Sequence, residues 1–189
     1  MKKYLFLCLI ALFTTSAMAQ DAMLTKEETV NYLHKKLREV EGRFTTIFSS
    51  KFYYNAPSIN LMKDGTVEVI YTRSSSDFCL GGYSVKFSYR FDPSEIVRVG
   101  TVSANPGDSV SDLALIFSSR TARAREDHTK GTSCTRSLGH WEGTNGQWGD
   151  LGRVNFPYFA TSPENSGRIT RAILHLRDLA KAEEDPFSK

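Results

Sequence analysis

The run from Tyr83 to Phe91 alternates without a break: Tyr83, Val85, Phe87, Tyr89 and Phe91 are large and apolar, while Ser84, Lys86, Ser88 and Arg90 are polar. A period of two puts the two sets on opposite faces of an extended chain, so one face must be covered while the other meets water. That pattern belongs to an antiparallel sheet packed on one side, because the strands of a parallel sheet, covered on both faces, read as continuous apolar runs. Val67, Val69 and Tyr71 repeat the pattern after the turn Lys63-Asp64-Gly65. Asp92-Pro93-Ser94 breaks it, after which Ile96 to Val102 and Leu113 to Phe117 read as strands around the turn Asn105-Pro106-Gly107-Asp108.

Two stretches follow a helical period instead. Thr25-Lys26-Glu27-Glu28 has the form of a capping box, in which the Thr25 hydroxyl and the Glu28 carboxylate satisfy amide donors at a helix start. Val30, Leu33, Leu37 and Val40 then recur at helical spacing and Gly42 offers a stop, which predicts a helix of about four turns. Near the other end, Ser162 offers a cap, Pro163 suits a first turn and Glu164 complements the positive helix terminus. Ile169, Ala172, Ile173, Leu176 and Leu179 form one apolar stripe behind them. His34 falls off the first stripe and reads as solvated; His175 borders the second. A strongly bent antiparallel sheet with an N-terminal helix and a C-terminal amphipathic helix is the expected α+β fold.

Residues 1–19 read as an export signal, since Lys2 and Lys3 precede the apolar run Tyr4 to Phe13, and Ala17-Met18-Ala19 supplies the small residues a signal peptidase requires. The run is too short to span a bilayer. Cys8 lies inside it rather than behind a lipoprotein motif, and nothing downstream reads as a membrane span. The expectation is one domain over residues 20–189, periplasmic or secreted. The chain carries 24 Lys and Arg against 21 Asp and Glu, a net charge of +3, and removing Lys2 and Lys3 leaves +1. So even a balance gives no reason to propose nucleic acid as a partner. Cleavage also removes Cys8, leaving Cys79 and Cys134, and two cysteines in an oxidising compartment are expected to pair. The chain-entropy model values such a loop at roughly 4 kcal/mol.

Both tryptophans lie between residues 131 and 153, around Asn145-Gly146, a dipeptide suited to a type I′ hairpin turn. Centred there, a hairpin pairs Gly143 with Trp148 and puts Trp141 and Trp148 on one face as diagonal neighbours. Carried forward without a bulge, that face continues through Val154, Phe156 and Tyr158, so it is expected to meet the core. The alternative is an exposed aromatic platform, since indole rings bury much area and keep a polar handle.

No Gly-x-Ser-x-Gly elbow, His-Glu-x-x-His motif, phosphate-binding glycine loop or EF-hand loop occurs, and His34, His128, His140 and His175 are scattered, so neither metal nor cofactor is implied. Arg120, Arg123 and Arg125 suggest an anion site. In a strand, however, Arg123 and Arg125 share one face while Ala122 and Ala124 take the other, with Glu126 and Asp127 beside them to neutralise charge. Cys134, flanked by His128 and His140 and followed by Thr135-Arg136, resembles the cysteine region of the exported L,D-transpeptidases, which implies a thiolate nucleophile for acyl transfer on cell-wall peptides. Ser133 stands where that family has glycine, and its upstream histidine motif is missing.

The layout as a whole resembles a group of small exported bacterial proteins of unknown function, which open with a stretch like Thr25 to Thr29 and close with a helix like Ala172-Ile173-Leu174-His175-Leu176 running to Pro186-Phe187. The resemblance implies a pleckstrin-homology-like roll whose last helix plugs one end of the sheet, and brings no catalytic residues. The function expected is therefore a non-catalytic binding or interaction domain for an envelope protein or small ligand, with Trp141, Trp148, His140 and Tyr158 as its candidate surface. A cysteine-dependent acyl-transfer enzyme is the alternative.

Overall fold

A computed structural model describes residues 24–47, 49–75, 83–129 and 146–184. The first helix, α1 (Lys26–Arg38), starts at the expected box: Glu28 N–H donates to the Thr25 hydroxyl at 3.2 Å, and Thr25 N–H donates to the Glu28 carboxylate at 2.8 Å. Its Val30, Leu33 and Leu37, with Val40 beyond it, are buried as the spacing requires, each side chain contributing roughly 1.5–3 kcal/mol by leaving water. The second helix, α2 (Pro163–Glu184), buries Ile169, Ile173 and Leu176 as expected, and Ala180 takes the last buried position while Leu179 is half-buried. The helices run antiparallel against each other. Lys26 at the start of α1 pairs with Glu183 at the end of α2 at 2.7 Å, and Lys36 near the end of α1 donates to Asn165 at the start of α2 at 3.2 Å. Asn165 is buried and also donates to Glu39 and to the carbonyl of Phe159, so its amide joins both helices to the sheet.

The strands are β1 (Phe44–Ile47), β2 (Ser50–Leu61), β3 (Val67–Ser75), β4 (Ser84–Phe91), β5 (Ile96–Thr101), β6 (Val110–Phe117), β7 (Ala122–Thr129), β8 (Gly149–Leu151) and β9 (Arg153–Phe159). They form two antiparallel sheets, in the orders β1-β2-β3-β4-β7-β8 and β5-β6-β9, and the sheets do not close into a barrel. The α+β class is as the sequence predicts, but the one bent sheet is divided in two. The chain passes from the large sheet to the small one through a 3-10 turn, Pro93–Glu95, capped by the Asp92 carboxylate on Ser94 N–H at 2.8 Å. It returns at β7 and crosses again at Gly152, between β8 and β9. Among the described residues no helix is long and apolar enough to cross a membrane.

The strict alternation of β4 fixes the buried face of the large sheet. Val67, Val69 and Tyr71 of β3 lie opposite Phe91, Tyr89 and Phe87 of β4, and all six are buried. Two irregularities shift this parity elsewhere. In β2 the register slips between Asn55 and Ser58, so that Phe52 and Tyr54 are buried before the slip and Pro57 and Ile59 after it. Pro57 has no N–H for a ladder, and a bulge is where a strand tolerates it. Ala56 adopts φ of +49° there, a left-handed conformation that costs a residue with a Cβ about 1–2 kcal/mol. Ala56→Gly should therefore raise unfolding stability by up to about 1 kcal/mol, since glycine's greater unfolded-state freedom offsets part of the relief. Urea denaturation of the two proteins measures this, and a less stable variant would show that the bulge is not strained.

Candidate functional site

Continuing the β3 alternation past Tyr71 brings Arg73 onto the buried face of the large sheet, opposite Tyr54 of β2 and Val85 of β4. A guanidinium placed among apolar residues needs partners. It lies over the Phe87 ring, 4.3 Å from its centroid, and close to the Tyr54 hydroxyl. Tyr71 and Tyr89 complete an aromatic layer with Tyr54 and Phe87, their ring centroids 5.2–6.1 Å apart in successive contacts. Burial drives these phenols up, Tyr89 to about 12 and Tyr54 and Tyr71 higher, so all stay neutral hydrogen-bonding groups. Burial opposes the Arg73 charge but does not prevail: its pKa lies above the usual value and the guanidinium stays protonated.

Asp112, on β6 of the small sheet, is the counter-charge within electrostatic reach of Arg73. Its Oδ1 is closed off from solvent and has no hydrogen-bond partner among the described residues. Burial raises its pKa, and the attractions of Arg73 and Arg153 only partly offset this. Asp112 and Arg73 both line a pocket of about 150 Å³ walled by the end of β1 and the β5–β6 connection. The wall is held by Asp108, which accepts from the Thr45 hydroxyl at 3.0 Å and from the Thr46 amide and hydroxyl at 3.0 and 2.6 Å. Burial pushes the Asp108 pKa up, yet the Thr46 and Thr45 donors outweigh that and keep it below the usual carboxylate value. The pocket is thus lined by two unlike carboxylates: Asp108, spent on the wall, and Asp112, whose Oδ1 is sealed from solvent.

A third polar group lies on the same sheet face, on β7 across Val85 from Arg73. His128 Nδ1 is 3.0 Å from the Tyr83 hydroxyl and its Nε2 3.3 Å from Glu126. Neutral histidine satisfies both contacts by accepting from Tyr83 and donating to Glu126. An imidazole engaged at both nitrogens must break one contact before it can serve a thiol. Cys134, His140, Trp141 and Cys79 lie outside the described residues. The described ends flanking the two cysteine-bearing connections are neighbours, with Ser84 opposite Thr129 and Ser75 N–H donating to the Tyr83 carbonyl at 3.0 Å.

Trp148 does not meet the core through the face expected of it. Leu151 of β8, opposite Ala122, is the residue packed on the core, which turns Trp148 and Asp150 outward. Trp148 is half-buried beneath two guanidinium groups, Arg90 at 4.9 Å and Arg123 at 5.7 Å from its ring. The parity reverses at Gly152, where the chain changes sheets, so Val154, Phe156 and Tyr158 are buried although Trp148 is not on their side. Tyr158 is a core residue opposite Ser111, and the structure does not bring it to Trp148. The arginines do not converge on an anion. Arg123 and Arg125 share the outer face while Ala122 and Ala124 are buried, as the alternation predicts; Arg125 pairs with Asp127 at 2.9 Å and Arg120 donates to the Asp150 carbonyl at 2.8 Å. His34 is half-buried rather than solvated, its Nδ1 3.2 Å from the Ile59 carbonyl, and His175 contacts the Leu24 carbonyl at 2.8 Å. Among the described residues no group of three or more His, Cys, Asp and Glu is placed to hold a metal ion.

The raised Asp112 pKa sets a sign for stability against pH. The folded protein keeps this proton to higher pH than the unfolded chain, so stability falls as pH rises from the unfolded value near 3.9 through the folded one, and stays lower above it. Asp112→Asn removes the penalty. Because burial outweighs the attraction of Arg73, the variant should be more stable at pH 7, by about 1–2 kcal/mol or roughly 3–6 °C in Tm, with a flatter pH profile between about pH 4 and 7. Thermal unfolding across that range checks both, and a loss of stability at pH 7 would mean the carboxylate has a partner in the fold. No protein-family model, curated protein or solved structure matches the chain.

Proposed function

We propose that this chain is an exported, non-catalytic binding domain whose ligand site is the pocket between β1, the β5–β6 connection, Arg73 and Asp112. The observation that carries the reading is the meeting of Arg73 and Asp112 at one pocket, two opposite charges from different sheets with no ion pair between them. The pocket adds to this, being concave and lined by a few convergent polar groups on rigid strands. The proposal moves the candidate site away from the Trp141/Trp148 hairpin, since Trp148 is occupied by Arg90 and Arg123. The export signal over residues 1–19 and a Cys79–Cys134 disulfide belong to the same reading, supported by the sequence and by the adjacency of the strand ends that flank both cysteine segments.

Native mass spectrometry of the mature protein, purified from its envelope fraction without reductant, tests the whole. The expected bare mass begins at Gln20 and is lighter by two hydrogens than the reduced chain, with a small non-covalent adduct that Asp112→Asn loses. A chain that never carries an adduct and binds no small solute would overturn the binding reading. A thiol-reactive Cys134 would overturn the disulfide and return attention to the acyl-transfer chemistry. Reduction of the bridge should lower Tm by roughly 10 °C, the counterpart of about 4 kcal/mol.

A further inference from the structure

We infer that the outer face of the small sheet, along the row Arg98, Ile116 and Arg153, is a docking surface for an extended segment of another protein that presents acidic side chains on either side of an apolar one. None of these three residues lines the pocket between the sheets, so the surface is independent of it.

The middle strand is written for two covered faces. Leu113-Ala114-Leu115-Ile116-Phe117 on β6 is an unbroken apolar run, the pattern of a strand buried on both sides. The fold covers one side. Leu113, Leu115 and Phe117 belong to the core with Val154 and Phe156 of β9, whereas Ile116 alternates to the other face, is half-exposed and takes no part in the core. Its neighbours in register are Arg98 on β5 and Arg153 on β9, both exposed. The bulge between Ile96 and Arg98 adds Val97 at this edge, 57 % exposed. Beside the row the face is low: Gly100 and Asn155 flank Ala114, and a side chain added at Gly100 would meet no atom within 4 Å. A partner backbone can approach closely there.

Charge selects the occupant. Arg98 has no ion pair among the described residues, and Arg153 donates its Nε to the uncharged Asn155 Oδ1 at 3.1 Å. Two acids close by are engaged elsewhere: Glu95 accepts from the Ser118 hydroxyl at 2.7 Å, and Asp112, further along the same face, belongs to the pocket. A second copy of this face would set arginine against arginine. Two cations contribute only about 1 kcal/mol each on an anionic membrane. An extended segment turns alternate side chains the same way, so acid, apolar and acid at every second position span about 13 Å. The Cα atoms of Arg98 and Arg153 are two strand spacings apart, about 10 Å, and their long side chains close the difference.

Fluorescence polarisation of the mature protein with a labelled peptide repeating Glu-Ser-Val-Ser tests this, beside the same peptide with lysine for glutamate or with serine for valine. The expected result is binding of the first alone, weakened by salt. Arg98→Ala combined with Arg153→Ala should weaken it roughly tenfold, the worth of two surface pairs. Gly100→Leu should block it by filling the face. Neither variant should lower Tm, because neither touches the core. Ile116→Thr should likewise weaken binding at unchanged Tm; a fall of several degrees would mean that the fold itself requires the apolar residue and would overturn the inference. Equal binding of the lysine or serine peptide overturns it too, as does no binding of any. Two further results would hand the surface to another occupant: vesicles of phosphatidylglycerol and phosphatidylcholine bound by the parent but not by the arginine variant, with the peptide ignored, or a dimer in light scattering that Gly100→Leu abolishes. The adduct carried by the pocket is unaffected by any of these outcomes, so the two readings fall separately.

Discussion

Much of this fold is organised around one charge on the wrong side of a sheet. Arg73 follows Val67, Val69 and Tyr71 on the buried face of β3, and its guanidinium must be balanced where little water reaches. Tyr54 comes from β2, Phe87 from β4 and Asp112 from the other sheet, so satisfying one side chain requires three strands in register and two sheets in place. The aromatic layer of Tyr54, Tyr71, Phe87 and Tyr89 supplies the apolar part of that surrounding, and keeps its phenols neutral.

The second constraint is how the sheets are held at the open side of this cluster. The Asp108 carboxylate gathers donors from Thr45 and Thr46 of β1, and Ser109 exchanges hydrogen bonds with Phe44, so an edge strand of the large sheet is tied to the β5–β6 connection of the small one. The two carboxylates in this region play opposite parts. Asp108 is fully satisfied and stabilises the wall; Asp112 is unsatisfied and destabilises the fold while charged. Sites that act on other molecules commonly retain such a cost.

Which parts were legible in the sequence follows from where the periods run unbroken. The helices could be read because Thr25 and Glu28 form their box locally and the stripes at Val30 to Val40 and Ile169 to Leu176 need only a surface to pack on. The β4 strand and the two faces of β7 could be read for the same reason. Unbroken periodicity misplaces Trp148, because the chain changes sheets at Gly152 and reverses parity there. Arg73 carries a signal, its place two residues beyond Tyr71, but an arginine on such a strand ordinarily ends the buried run. Asp112 had none: it alternates with the buried Leu113 and Leu115, and only the wall built by β1 and the β5–β6 connection closes over its carboxylate.

By itself, then, the sequence determined the class of fold, the antiparallel pairing of one-sided strands and the two amphipathic helices, because each depends on residues close together along the chain. The tertiary structure alone decided that the strands form two sheets, that a bulge and a crossing reverse which residues face inward, and that Arg73 and Asp112 meet at one pocket. Those outcomes depend on pairings between residues tens of positions apart, where a shift of one residue exchanges the inner face for the outer, and local periodicity carries no record of that shift.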